Sequence, residues 1–392
     1  MLFRSLPFAD LFEPAIRYAE ECFLVTPIIA QLWARGGRLL GDQPGFAETF
    51  MPTGRAPLAG EKFRNPALAR TFRRIAETKG RAIYEGDLAE AMVAHSKAHG
   101  GAMTMDDLAS HRPDWCGTIS KGFDDLTLHE IPPNGQGIAA LMALGILTHT
   151  PIRDLGADDP RAFHLQIEAM KLALADAEAY VADPAHMGGV SAADMLDDGY
   201  LAARARLIDP TRATDFGAGA PKQGGTVYLS TADASGMMVS YIQSNYAGFG
   251  SGVAVPGTGI HMQNRGSGFS LDPQSPNLVG PGKRPFHTII PGFLMKGGAP
   301  LMSFGVMGGP MQAQGHLQMV LRTQLWDQDV QMAADAPRWQ VTEGLGVACE
   351  AAMGRETLEA LSAMGHQIDA DAPEAAFAFG GAQLRSEEHT SE

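Results

Sequence analysis

The chain has 392 residues, a formal net charge of −14, 45% hydrophobic residues and 19% charged residues, which indicates a soluble globular protein with a large core. The negative charge disfavours binding to nucleic-acid phosphates, and no apolar segment is long enough to span a bilayer. Three cysteines, Cys22, Cys116 and Cys349, lie far apart, which argues against a disulfide framework or a zinc knuckle. We therefore expect neither a nucleic acid nor a membrane as a partner.

The sequence up to about Pro221 is mostly helical in pattern. Apolar residues recur at helical spacing in Ala15 to Val25, Ala67 to Ala76, Asp87 to His99 and Arg161 to Tyr180. Pro27 is predicted to end or kink the first of these helices, and Thr104 is predicted to cap a helix that begins with acidic residues. The apolar run Gly137 to Leu147 predicts a core helix, and the alternation in Leu126 to Ile131 predicts a short strand.

From Thr226 onward the apolar residues recur with a period of two, which is typical of strands. Two hairpins are predicted around glycine-containing turns: Val227 to Ala232 with Met237 to Ile242, and Ile289 to Met295 with Leu301 to Val306. Helices are predicted over Pro310 to Trp326 and Thr357 to Met364. Helices followed by strands and then by further helices predict a layered α+β sandwich.

Thr226 follows the pair Gly224-Gly225 and opens the first of these strands. A threonine hydroxyl is a poor nucleophile unless a base lies beside it, and that base can be its own α-amine once the chain is cut before it. Gly225 has no Cβ and tolerates the tight approach that such a cut requires. The pattern is compatible with self-cleavage at Gly225–Thr226, although a Gly-Gly-Thr sequence is more often an ordinary turn.

Further segments support the catalytic interpretation. In order and spacing, the sequence resembles the γ-glutamyltransferase family of N-terminal-nucleophile hydrolases in Thr226 to Asp233, Ser244 to Gly252, Gly282 to Pro285 and Met307 to Gly309. The resemblance covers about Leu6 to Gln383. It implies an αββα sandwich and a precursor that cleaves itself into a mainly helical part, residues 6–225, and a β-rich part, residues 226–384, which stay together as a heterodimer.

The resemblance also implies that the chain is truncated and the sandwich incomplete, since the family has further segments at both ends. Leu2 to Ser5 and Arg385 to Glu388 can be encoded by a sequencing adapter and its reverse complement. Residues 1–5 and 385–392 are therefore predicted to be non-native ends.

The resemblance implies roles for several residues. Thr226 would be the nucleophile, Gly308 and Gly309 the oxyanion glycines, and Ser244 a second hydroxyl beside the nucleophile. The Lys283-Arg284-Pro285 motif is interpreted as structural. No cofactor or metal is expected, because His261, His287 and His316 lack the spacing of a metal site.

The predicted substrate pocket departs from the family at five positions. Tyr246 replaces an Asn, Arg265 and Gly268 replace a Gln and an Asp, and His287 with Thr288 replaces paired serines. Losing the Asp removes the partner of a buried ammonium group, whereas Arg265 offers a fork for a carboxylate. The acyl group is therefore predicted to be an anion without a nearby amine, such as oxamate, a dicarboxylic monoamide or the side chain of an acylated β-lactam.

Several alternatives stay open. The chain could act on γ-glutamyl or related small-molecule amides with water or an amine as acceptor, act as an oxamate-like amidohydrolase, serve as a non-catalytic binding module, or be a fragment that does not fold stably. A loose dinucleotide fingerprint at Gly135, Gly137 and Ala140 is disfavoured, because prolines precede it and no βα unit follows. The compartment is open between the cytoplasm and the periplasm of a bacterium.

Overall fold

The structure is a computed structural model that describes residues 6–217, 225–370 and 378–386. The helices are α1 (Glu13–Glu20), α2 (Pro27–Leu40), α3 (Phe46–Phe50), α4 (Pro66–Glu77), α5 (Ala82–Glu85), α6 (Asp87–Ala98), α7 (Met105–Ala109), α8 (Gly137–Leu147), α9 (Pro160–Tyr180), α10 (Ala192–Met195), α11 (Asp198–Ala205), α12 (Met311–Val320), α13 (Val330–Asp335) and α14 (Arg355–Ala363). A π-helical turn, Leu321–Leu325, continues α12.

The strands are β1 (Phe23–Leu24), β2 (Lys62–Phe63), β3 (Ile119–Phe123), β4 (Leu126–Glu130), β5 (Gly225–Ala232), β6 (Met238–Tyr246), β7 (Ala254–Val255), β8 (Ile260–His261), β9 (Gly292–Lys296), β10 (Ala299–Met307), β11 (Trp339–Val341), β12 (Gly346–Cys349), β13 (Gln367–Asp369) and β14 (Gly381–Ser386). The last two residues of β14, Arg385 and Ser386, belong to the segment predicted to be non-native; they pair with Ser303 and Met302.

The predicted helices and hairpins are confirmed, with two errors near the N-terminus. Pro27 does not end a helix but begins α2, because its fixed φ and missing N–H suit the first helical turn. The helix predicted over Ala15 to Val25 ends earlier, at Glu20. Thr104 caps α7 as predicted, since its hydroxyl accepts from the Asp107 N–H while the Asp107 carboxylate accepts from the Thr104 N–H.

The chain forms two compact units. The first comprises Met1–Trp115 with Ala247–Asn264, and the second comprises Cys116–Tyr246 with Arg265–Glu392. The first unit has an aromatic core in which Trp33 packs edge-on against Phe63, with ring centroids 4.6 Å apart, and donates its indole N–H to the Phe50 carbonyl at 3.0 Å. Phe249, from the second segment of this unit, packs 4.8 Å from Phe50.

The second unit is built in layers around an antiparallel sheet with the strand order β14-β10-β9-β4-β3. The β5–β6 hairpin packs on one face through β10, and α8 and α12 pack on the other face, with α9 behind α8. Every residue of α8 is buried, because the helix lies between the sheet and α9 and is apolar all round. The two β layers and the helices on one side of them correspond to the α, β and β layers of the predicted αββα sandwich.

Close backbone approach joins the two sheets. A Cβ at Gly305 of β10 would lie 2.4 Å from the Tyr228 ring of β5, so only glycine lets this ring lie flat on the sheet. Burial raises the pKa of Tyr228 to about 12, and its hydroxyl hydrogen bonds to Ser240 at 2.7 Å. This packing fixes the position of β5, the strand that begins at the predicted cleavage bond. Within the described part of the chain, no helix is both long and apolar enough to cross a bilayer.

Candidate active site

Thr226 lies at an irregularity in the β5–β6 pairing. Gly225 pairs with Tyr246 and Val227 pairs with Gln243, so two residues of β6, Ser244 and Asn245, oppose the single Thr226. Such a bulge bends the strand and redirects side chains, and bulges are frequent beside active sites. Half-buried Thr226 is thereby held at the edge of the hairpin, directly after Gly225.

Among the described residues, two side chains contact the Thr226 hydroxyl. Its oxygen lies 3.3 Å from the Ser244 hydroxyl oxygen and 3.3 Å from the amide nitrogen of Gln312. The Ser244 oxygen also accepts from the Tyr246 backbone N–H at 2.9 Å, which holds it in place. The structure thus brings predicted residues Thr226 and Ser244 together and adds Gln312, a buried residue of α12.

Gly308 and Gly309 form the turn between β10 and α12, with φ angles of 134° and 60°. A Cβ at Gly308 would lie 3.0 Å from the Gly380 Cα, so the turn has no room for a side chain. The Gln312 N–H donates to the Gly309 carbonyl at 3.1 Å, which links the glycine turn to the residue that contacts Thr226. The two glycines directly precede α12, at the positive end of the helix dipole, where backbone N–H groups can stabilise an oxyanion.

Arg265 lies among the predicted substrate-binding residues. Its guanidinium carbon is 4.9 Å from the centre of the Tyr246 ring, and its Nη1 donates to the Thr288 hydroxyl at 3.3 Å. Tyr246 adopts a φ of 77°, which is uncommon for a residue with a side chain. Burial lowers the pKa of Arg265 from its usual high value.

Gly268 cannot accept the Asp of the family pattern without a backbone shift. A Cβ at this position would lie 2.4 Å from the Phe286 carbonyl oxygen. This position therefore has no room for a side chain in the present backbone.

His287 lies beside Arg265. Burial and the Arg265 charge together lower its pKa to about 4, so the ring is neutral at pH 7. Its backbone N–H donates to the Asn134 carbonyl at 3.1 Å, and its carbonyl accepts from the Gln136 N–H at 3.0 Å. The ring faces Gly135, where a Cβ would come within 3.0 Å of it.

The loop with the loose dinucleotide pattern thus has a different role. The buried Gln136 side chain donates from its amide nitrogen to the Thr288 carbonyl at 2.7 Å and to the Gly309 carbonyl at 2.9 Å. The loop therefore ties the segment that carries His287 and Thr288 to the glycine turn.

Gln136 and Gln312 were not among the site residues predicted from the sequence. The available signal for Gln312 was its position three residues after Gly309, on the inward face of the helix that follows the glycine pair. Lys283, interpreted as structural, donates to the Leu278 carbonyl at 2.8 Å. His316, not expected to bind metal, contacts the buried Glu130 carboxylate at 2.5 Å and accepts from the Val306 N–H.

A separate buried group comprises His164, Glu168 and His366, whose potential metal-ligand atoms lie within 4.8 Å of one another. Lys171 lies among them, with its ammonium nitrogen 2.9 Å from a Glu168 oxygen and 3.4 Å from His366 Nδ1. The other Glu168 oxygen accepts from the Thr214 N–H at 3.0 Å. Each of these atoms therefore already has a protein partner, which is typical of a structural network.

Helices, the central sheet and the β5–β6 hairpin form successive layers, and the Gly225–Thr226 bond lies at the start of β5. This arrangement defines the fold of the N-terminal-nucleophile hydrolases. The cephalosporin acylase from Bacillus halodurans has this fold with a TM-score of 0.93 and 44% sequence identity, over 100% of this chain and 72% of that one.

Sequence comparison identifies the family. The Gamma-glutamyltranspeptidase family profile matches residues 2–390, and the chain belongs to this family. It is 39% identical to the oxamate amidohydrolase proenzyme of Klebsiella pneumoniae over 86% of its own length, and 34% identical to the glutathione hydrolase-like YwrD proenzyme of Bacillus subtilis over 93%. The chain spans 63% of the length of the first relative and 70% of the second.

Proposed function

We propose that this chain is the precursor of a self-cleaving amide hydrolase that uses Thr226 as an N-terminal nucleophile. The observation that carries the proposal is the position of the Thr226 hydroxyl, at a strand bulge, between Ser244 and Gln312 of the helix that follows the glycine turn. The proenzyme names of the two relatives support a precursor, whose parts up to Gly225 and from Thr226 would remain associated as a heterodimer.

In the first reaction, the Thr226 Oγ attacks the Gly225 carbonyl carbon. The Oγ–C bond forms, the C–N bond breaks, and the Thr226 nitrogen takes up a proton to become an amine. Water then opens the ester, which leaves a carboxylate on Gly225 and a free Thr226 hydroxyl.

In the second reaction, the freed amine takes the proton of the Thr226 hydroxyl as the oxygen attacks a substrate amide. The N–H groups of Gly308 and Gly309 stabilise the tetrahedral oxyanion in this reaction and in the first. The leaving amine departs with a proton, and the resulting acyl-enzyme passes its acyl group to water or to an amine. None of these steps requires a cofactor.

For the acyl group we propose a small amide that carries a carboxylate close to the scissile carbonyl and has no α-amine. Arg265 can hold the carboxylate, while Tyr246 and Thr288 orient its guanidinium. Gly268 supplies no carboxylate to pair with an ammonium. The names of the relatives that act on oxamate and on cephalosporins agree with this choice.

A γ-glutamyl amide is the second candidate. The family match and the similarity to the glutathione hydrolase-like relative favour it. Initial rates with oxamate and with γ-glutamyl-p-nitroanilide separate the two candidates. The glutamyl compound introduces an ammonium group, for which the five described pocket positions offer no carboxylate.

Intact-mass analysis of the purified chain, beside a Thr226→Ala control, tests the nucleophile. Two fragments from the parent, one of them beginning at Thr226, with an uncut control, are the expected result. An uncut parent would refute self-cleavage by this chain, and a control that is also cut would point to an external protease.

A further inference from the structure

Helix α12 carries three buried glutamines. Two of them, Gln314 and Gln318, bond to backbone groups of β11. Gln314 accepts from the Val341 N–H at 2.7 Å and donates to the Val341 carbonyl at 3.4 Å. Gln318 accepts from the Trp339 N–H at 3.3 Å and donates to the Trp339 carbonyl at 3.0 Å. These two amides replace strand partners for β11, which is an ordinary structural role.

Gln312 is the exception. Its side-chain oxygen accepts from a backbone N–H, as the other two do, here that of Ile290 at 3.2 Å. Its nitrogen, however, donates to the Thr226 hydroxyl oxygen at 3.3 Å. The Ile290 N–H can only donate, so the oxygen of the amide must face it and the NH₂ group must face Thr226. The side chain is completely buried, which leaves it little freedom to reorient.

We propose that Gln312 is a further catalytic residue, which stabilises negative charge on the Thr226 Oγ. This inference rests on the proposed function, in which Oγ is the attacking atom. In both reactions, negative charge develops on Oγ as the hydroxyl proton leaves. It develops again when the ester C–Oγ bond breaks, because Oγ leaves with the electron pair before it regains a proton. An N–H donor already aimed at this oxygen lowers both barriers.

Gln312 and Ser244 would then have complementary roles. The Thr226 hydroxyl donates its proton towards Ser244 and accepts from Gln312, so both sides of the oxygen are in use. The side chain of Gln312 thus orients the Thr226 hydroxyl and also stabilises negative charge on its oxygen.

The chain offers a matched control for the test. Gln312→Met removes the donor with little change in volume, and Gln314→Met makes the same change two residues along the same buried helix. Cleavage of the Gly225–Thr226 bond is followed by mass spectrometry, with thermal unfolding of each variant as a measure of folding. We expect Gln312→Met to cleave more slowly by about 10²-fold, the effect typical of losing one oxyanion donor. Gln314→Met is expected to cleave at the parental rate.

A second variant keeps the inference falsifiable if either methionine variant folds poorly. Gln312→Glu preserves the shape, but its carboxyl group can donate a proton towards Thr226 only when protonated. The ratio of its cleavage rate to that of the parent is expected to rise by roughly tenfold as the pH is lowered from about 8 to 5. A parental rate at high pH, or a ratio that does not change with pH, would overturn the inference while the proposed function stands. A parent that does not cleave would overturn both.

Discussion

His164 and His366, both buried, hydrogen bond to each other, with the Nδ1 of the first 2.8 Å from the Nε2 of the second. The Nε2 of His164 lies 2.8 Å from the Asp209 carbonyl, which can only accept, so this nitrogen carries a proton. The simplest assignment then has His366 donating from Nε2 to His164 and accepting at Nδ1 from the Lys171 ammonium. The His366 ring is neutral in this arrangement, and the chain of hydrogen bonds runs from the Asp209 carbonyl through the two histidines to Lys171.

The first prediction is a pH-dependent loss of stability through His366. Burial, the Lys171 charge and His164 lower its folded pKa to about 3, well below the value near 6.5 in an unfolded chain. The unfolded state therefore binds more protons between these values, and stability present above about pH 6.5 is lost as the pH falls towards 3.

Urea denaturation at about pH 7.5 and 4.5 measures this effect. His366→Gln cannot titrate, so its free energy of unfolding is expected to fall less between the two pH values, by roughly 2 kcal/mol. The same substitution at exposed His111 serves as the control and should leave the parental pH dependence unchanged. Equal losses in the parent and in His366→Gln would contradict the assignment.

The second prediction concerns the glycine turn. Gly308→Ala is expected to slow cleavage strongly, because the added Cβ meets the Gly380 backbone and displaces the N–H groups of the turn. Gly297→Ala is the matched control: it also has a positive φ, 57°, but nothing lies within 4 Å of the added Cβ. It is expected to cost about 1 kcal/mol of stability and to leave the cleavage rate intact. Cleavage rates and unfolding curves are measured for both variants. Equal cleavage rates in the two would contradict a role of the glycine turn in cleavage.

The third prediction concerns recognition of the carboxylate. Arg265→Gln is expected to raise KM for oxamate by roughly 10- to 100-fold, the value of a charge-assisted hydrogen bond of about 1.5 to 3 kcal/mol. Hydrolysis of the uncharged ethyl ester of oxamate should change little. Steady-state kinetics of the cleaved enzyme on both compounds provide the measurement, and an equal loss on the two would exclude a specific role with the carboxylate.

The fourth prediction concerns the second hydroxyl. Ser244→Ala removes the partner of the Thr226 hydroxyl and of the Tyr246 N–H, and is expected to slow cleavage by about tenfold, the equivalent of roughly 1.4 kcal/mol. Ser244→Thr keeps a hydroxyl group and should restore most of the rate. If alanine and threonine behave alike, the hydroxyl has no part in the reaction.

Much of the second unit could be predicted from the sequence, because its signals are local. The change from helical to strand periodicity at Thr226 predicted the β5–β6 hairpin, and glycine turns predicted the β9–β10 hairpin. Pro27 was wrongly interpreted because a proline marks the start of a helix as readily as its end, and the sequence pattern alone did not distinguish these positions.

Distant contacts are different. The hydrogen bond from Gln312 to Thr226 joins residues 86 positions apart, and the one from Gln136 to Gly309 joins residues 173 positions apart. Neither periodicity nor turn residues in the sequence indicate that two such distant residues are in contact. Both glutamines belong to apolar helical surroundings, where a buried amide is as compatible with a structural role, like that of Gln314, as with a contact to the nucleophile.

The family and the layered fold could be recognised from the sequence, and the Gly225–Thr226 bond could be predicted as the cleavage site, because these depend on local patterns and on the spacing of short motifs. The donors that surround the Thr226 oxygen, and the contacts among Arg265, Tyr246 and Thr288, became visible only in the folded chain. The physical reason is that buried polar groups must find partners wherever packing brings them together. The packing of α12 and the β5–β6 hairpin on the central sheet sets those positions.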